Sequence, residues 1–84
     1  MAKYHPTAGQ LGAILREFRE AKGLSQEKLS FAADLDRTFI GRIEREDRFP
    51  TFHSVGFILD ALGVSWTELG QALDKAQRSR KRSR

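Results

Sequence analysis

The chain has 84 residues, enough for one domain with a modest core. It contains no cysteine, which excludes disulfides, thiolate metal sites and a cysteine nucleophile, and its two histidines, His5 and His53, are far apart without an acidic partner at ligand spacing. The net charge of +4 is a property of one end: residues 78–84 carry five positive charges, and the other 77 residues hold 10 Lys or Arg against 11 Asp or Glu. The basic balance therefore does not by itself argue that the folded part binds nucleic acid.

No segment alternates polar and apolar residues for long, whereas helix starts recur in one form: a capping residue, an apolar residue just before it, and another four positions inside. The first helix is predicted to start at Thr7, with Gln10 completing a capping box and Pro6 and Leu11 as the apolar staple. Leu11, Ile14, Leu15 and Phe18 form its stripe, and Gly23 ends it as a left-handed cap. The second starts at Ser25, stapled by Leu24 and Leu29. The third starts at Asp36, stapled by Leu35 and Ile40. The fourth starts at Thr51, with Pro50 before it, a stripe of Val55, Ile58, Leu59 and Leu62, and a stop at Gly63. The fifth opens with the capping box Ser65-Trp66-Thr67-Glu68, stapled by Val64 and Leu69, and is predicted to fray after Ala76. The expected organisation is an N-terminal arm over 1–6, a helical domain over 7–76 and a basic, disordered tail over 77–84. That tail is either solvated or an arm on phosphate.

Asp34 and Leu35 alone separate the second helix from the cap of the third. So short a link forces a sharp angle, the geometry of a helix-turn-helix, and Asp tolerates the left-handed conformation such a turn requires. On a wheel of about 100° per residue, Arg37, Gly41, Arg45, Thr38 and Arg42 of the third helix span roughly 140°, and Phe39, Ile43 and Ile40 lie opposite. One face packs on the core and the other carries three arginines and a threonine. Arginine grips guanine O6 and N7 with two hydrogen bonds, and threonine brings a hydroxyl and a methyl suited to thymine. The competing interpretation is a solvated helix face, with Asp36, Glu44, Glu46 and Asp47 neutralising much of the charge. Gly41 costs about 1 kcal/mol relative to alanine in a helix interior. Close approach of the backbone to a partner is one reason to keep it.

Leu24-Ser25-Gln26-Glu27-Lys28-Leu29, Arg37-Thr38-Phe39-Ile40-Gly41-Arg42-Ile43-Glu44-Arg45, and Pro50 before an apolar helix ending Ala61-Leu62-Gly63-Val64 together resemble the Cro/XRE family of helix-turn-helix domains. The stretch from Arg37 to Arg45 looks most like the controller proteins of restriction–modification systems, which often have tyrosine where Phe39 stands. The resemblance implies an all-α, five-helix, lambda-repressor-like domain that regulates transcription. It would bind double-stranded DNA as a homodimer on a palindromic operator, with no catalytic residues. It implies that Arg37, Thr38 and Arg42 face base edges and that Gln26 binds phosphate. Ser25, Lys28, Arg45 and Arg48 are the other candidate phosphate contacts. Arg19 and Glu44 match a charge pair tying the first helix to the third, and dimerisation is expected through the last helix, at Trp66, Leu69 and Leu73.

The sequence departs from the family pattern in places. Glu46 stands where glycine often follows the recognition helix, Asp34 where the turn usually has glycine, and Ser30 where alanine is preferred. Phe31 replaces an exposed polar residue; it either tucks against Phe39 or another neighbour, the reading favoured here, or marks an extra contact surface. Trp66 is read equally as a dimer anchor and as core. Phe49 and Phe52 are expected to pin the loop around Pro50, and His53 lies near a helix start where family members bind phosphate through backbone amides.

No run of 18 apolar residues exists and Met1 to Pro6 lacks the apolar stretch of a signal peptide, so a cytoplasmic protein without membrane contact is expected. No metal, cofactor or small-molecule ligand is expected. The alternative to DNA binding is a protein-interaction adaptor on the same scaffold, anchored by Phe31 and Trp66.

Overall fold

The computed structural model describes residues 8–45 and 49–82. They form five helices, with no strand among the described residues: α1 (Ala8–Ala21), α2 (Gln26–Ala33), α3 (Arg37–Glu44), α4 (Phe52–Leu62) and α5 (Trp66–Arg82). The expected Thr7 cap and Pro6 staple lie outside the described residues.

Three joints between helices share one construction. After α1, Gly23 takes φ 72°, its N–H donates to the Glu20 carbonyl at 2.9 Å, and the Leu24 N–H donates to the Arg19 carbonyl at 3.1 Å. After α2, Asp34 takes φ 57°, with N–H bonds from Asp34 to Phe31 and from Leu35 to Ser30 at 3.2 and 2.8 Å. After α4, Gly63 takes φ 70°, with the equivalent bonds to Asp60 and Leu59. These paired bonds satisfy the orphan carbonyls at each helix end. The next residue is apolar and turns inward, and the one after it caps the following helix. Ser25 accepts from the Lys28 N–H, Asp36 from that of Thr38, and Ser65 from that of Glu68, while Glu68 accepts in return from the Ser65 N–H. Thr51 caps α4 through the Ser54 N–H.

The core runs through all five helices, with Leu15, Leu29, Ile40, Ile43, Ile58 and Leu59 almost fully enclosed. α1 lies against α3, α2 against both α3 and α4, and α5 returns onto α1. Ser30, where alanine was the expected residue, is buried and satisfied, its hydroxyl donating to the Glu27 carbonyl at 2.8 Å.

Two features differ from the sequence reading. α5 continues past Ala76 to Arg82. Arg, Lys and Gln are good helix formers, and no Gly or Pro follows Gly70 to stop the helix. Leu69, expected at a dimer interface, is only 4% exposed and belongs to the core, with Leu73 partly buried at the core's edge and Trp66 outside it. The three lie within a narrow arc of the helix wheel, but the wheel ignores position along the axis, which here decides what each one meets.

Gly12 is a feature the stripe analysis passed over. It is buried where α1 crosses α3, and a Cβ there would fall inside the contact distance of the Ile43 carbonyl oxygen. Because that neighbour is backbone, relief requires the two helices to move apart. Gly12→Ala is expected to destabilise the domain by about 1–3 kcal/mol despite alanine's better helix propensity, as overpacking does. A thermal melt of the variant at or above the wild-type Tm would remove this constraint.

Candidate nucleic-acid interface

The second and third helices set the site. Ser25 and Asp36 fix where each helix begins, and the left-handed Asp34 between them turns the chain so that α3 lies across α2. Ile40 and Ile43 anchor α3 in the core, each 1% exposed, which turns Arg37, Thr38 and Arg42 to solvent. Arg45, just past the end of α3, is exposed as well. Two shallow hollows flank the outward face. Gln26, Arg37, Thr38, Gly41 and Arg45 line the one beside α2, and Asp36, Thr38, Phe39 and Arg42 line the other. Thr38 thus stands between Arg37 on one side and Arg42 on the other.

The acids that weighed against this face are partly withdrawn from it. Glu44 turns inward: its carboxylate accepts from Arg19 Nε at 2.7 Å and Nη2 at 3.0 Å, with side-chain exposures of 10% for Arg19 and 4% for Glu44. Arg19 also donates Nη1 to the Leu24 carbonyl, tying the pair to the joint before α2. The Glu44 hydrogen bond raises the Arg19 pKa, outweighing burial, with further coulombic support from Glu44 and Glu20. Asp36 is engaged as the cap of α3. Glu46 and Asp47 lie outside the described residues.

The phosphate candidates fall into different places. Gln26 is partly buried and donates Nε2 to Glu44 Oε1 at 3.0 Å, leaving one amide N–H and the amide oxygen. The Ser25 oxygen accepts the capping bond, Lys28 is exposed on the first turn of α2, and Arg48 lies outside the described residues.

A second exposed surface was legible only in fragments. Phe52 stacks on Trp66 with ring centroids 4.7 Å apart and planes at 15°, and His53 meets Phe52 edge-on. Gly56 lies next to the Trp66 side chain, and Phe57 borders the same hollow. Phe52, Phe57 and Trp66 are all exposed, so this Trp66 is neither plain core nor a lone anchor, and Phe52 stacks on it rather than only pinning the loop. Phe31 is 89% exposed, and the expectation that it tucks against Phe39 is overturned. It projects from α2 on the side away from the core residues Leu29 and Ala33.

A helix-turn-helix family model matches residues 15–69. The chain belongs to the helix-turn-helix family of the Cro/XRE type. It is 42% identical over 59 residues to the control protein C.BamHI of Bacillus amyloliquefaciens, covering 69% of this chain and 73% of that protein. The controller protein C.AhdI from Aeromonas hydrophila superposes with a TM-score of 0.71 at 40% identity, over 74% of this chain and 94% of that one. The restriction–modification controller protein C.Esp1396I, solved as a tetramer in complex with its natural 35 base-pair operator, superposes with a TM-score of 0.77 at 34% identity, over 81% of this chain and 90% of that one.

The Arg19–Glu44 pair generates a test of stability. Glu44→Ala is expected to cost roughly 3–5 kcal/mol by stranding a buried guanidinium, whereas replacing both partners with apolar residues of similar volume should cost far less. Equal melting temperatures for Glu44→Ala and the wild type would show that the pair does not hold α1 to α3.

Proposed function

We propose that this chain is a transcription regulator of the cytoplasm that binds a palindromic double-stranded DNA operator as a homodimer. The observation that carries the reading is the solvent face of α3, where Arg37, Thr38 and Arg42 are exposed while the acid of the same helix, Glu44, is turned into the core. Arg37 and Arg42 have the donors to grip guanine in the major groove, and Thr38 between them suits thymine. Ser25, Gln26, Lys28, Arg45 and Arg48 supply phosphate contacts, which position the helix without reading sequence. The operator complex of C.Esp1396I supports the same partner for this chain.

Self-association is assigned to the aromatic surface of Phe52, Phe57 and Trp66, with Leu69 excluded by its burial and Leu73 packed against the core. Exposed aromatics in one patch are unusual on a monomer and typical of an interface centre. A palindromic operator requires the two recognition helices to meet half-sites about 34 Å apart, the spacing this dimer must present. The adaptor reading draws on Phe31, whose exposure fits a protein contact. The two separate by salt: DNA affinity falls steeply as salt rises, because each neutralised phosphate releases counterions, and an aromatic-anchored contact is nearly indifferent.

Arg37→Ala and Arg42→Ala are each expected to cost about 1–3 kcal/mol on the preferred operator and to relax one position of the site. Binding to a randomised DNA pool reads both effects, and full retention of sequence preference would remove these residues from base reading. Phe57→Glu, a change at an exposed position, is expected to yield a folded monomer with weaker operator binding. Sedimentation at micromolar concentration provides the comparison. A wild type that sediments as a single chain with no concentration trend would end the dimer reading.

A further inference from the structure

Gly41 occupies the centre of α3, where glycine is the least favourable helix residue after proline, and it is buried although it lies on the helix's outward side. What covers it is the protein itself. A Cβ at position 41 would lie 3.0 Å from Arg45 Nη1 and 3.5 Å from Gln26 Oε1. Arg45 follows Gly41 by one helical turn, and a side chain at that spacing leans back over the preceding turn. Its guanidinium therefore rests where residue 41 has no side chain. Gln26 reaches the same spot from α2, and its amide is held in a fixed orientation. Nε2 is bonded to Glu44 and Glu44 to Arg19, which leaves the amide oxygen on the side of Gly41.

We propose that the space at Gly41 is a seat for the Arg45 guanidinium, which lies there beside the Gln26 amide, so that two residues from different helices form one preassembled phosphate clamp. This rests on the DNA-binding reading above. Gly41 is a positioning residue in it. The planar guanidinium matches phosphate oxygens through paired N–H donors, and the second Nε2 hydrogen of Gln26 adds a neutral one. Ordering an arginine on binding costs rotamer freedom, and a side chain already seated avoids part of that cost. The rival account of Gly41 is that it lets the duplex itself approach the helix backbone.

A double-mutant cycle separates the two. Gly41→Ala asks the guanidinium to give by a few tenths of an ångström. Gly41→Met, another good helix former, fills the seat outright. Both are expected to melt at or above the wild-type temperature. Operator affinity should fall about twofold for alanine and about tenfold for methionine, with the log–log salt slope shallower by up to about 0.9, the loss of one phosphate contact. Preference among operator sequences should be unchanged, because phosphate contacts carry no direct sequence information. In an Arg45→Ala background the same substitutions should change affinity by less than about twofold, since the seat then has no occupant. An equal loss in both backgrounds would overturn the proposal in favour of duplex approach. So would unchanged affinity for Gly41→Met, or an Arg45→Ala variant that binds like the wild type. A wild type whose DNA binding is absent or indifferent to salt refutes the DNA-binding reading itself, and the clamp with it, before any variant is compared.

Discussion

The bond between Arg19 and Glu44 is the interaction on which the arrangement of this domain turns. It joins the first helix to the third across the core, and its effects reach further than that contact. A buried ion pair is weak evidence for stability, because desolvation offsets much of the coulombic attraction. Its value lies in what it orients. The third Arg19 donor reaches the Leu24 carbonyl at the joint before α2, and the second Glu44 oxygen accepts from Gln26 at the start of that helix. One buried pair thus touches α1, α2, α3 and the joint between the first two. It also withdraws a carboxylate from the outward face of α3, the face proposed to meet DNA.

Gly12 is the steric counterpart of that bond. The pair draws α1 and α3 together, and the bare Cα at position 12 sets how near they come. The depth at which α3 sits on α1 governs how far its arginines stand proud of the surface. The position of α3 therefore depends on one electrostatic contact and one close approach, both remote from the side chains proposed to read bases.

The starts of α2 to α5 and the ends of α1 and α4 were readable because each is written locally. The Ser25, Asp36, Thr51 and Ser65 caps and the Gly23 and Gly63 stops act within a few residues, and the structure has all of them. The inward and outward faces of α3 were readable for a similar reason, since helical angle alone separates Ile40 and Ile43 from Arg37 and Arg42. What escaped was set by distance along an axis or by the neighbour across a contact. Leu69 and Trp66 share an arc of α5, yet one is core and the other is stacked on Phe52. Gly12 had one legible signal, a costly glycine on the buried stripe of an amphipathic helix, but the backbone it faces lies more than thirty positions away. Phe31 had local signals of exposure, a position usually polar and a place on the helix wheel opposite Leu29 and Ala33, but they were outweighed by the inward default of hydrophobicity.

The repeated joint has a consequence for how the domain can vary. In each, three consecutive residues act for two helices at once: one ends the helix behind, one fills the core beneath, and one starts the helix ahead. Inserting or deleting a residue would break the termination and the initiation together, so these joints fix inter-helix angles and resist change in length. The connection from α3 to α4 is made differently, beginning at Arg45 with φ −87° rather than at a left-handed residue. Chain length is therefore most tightly held at Gly23-Leu24-Ser25, Asp34-Leu35-Asp36 and Gly63-Val64-Ser65, where one residue gained or lost disturbs two helices at once.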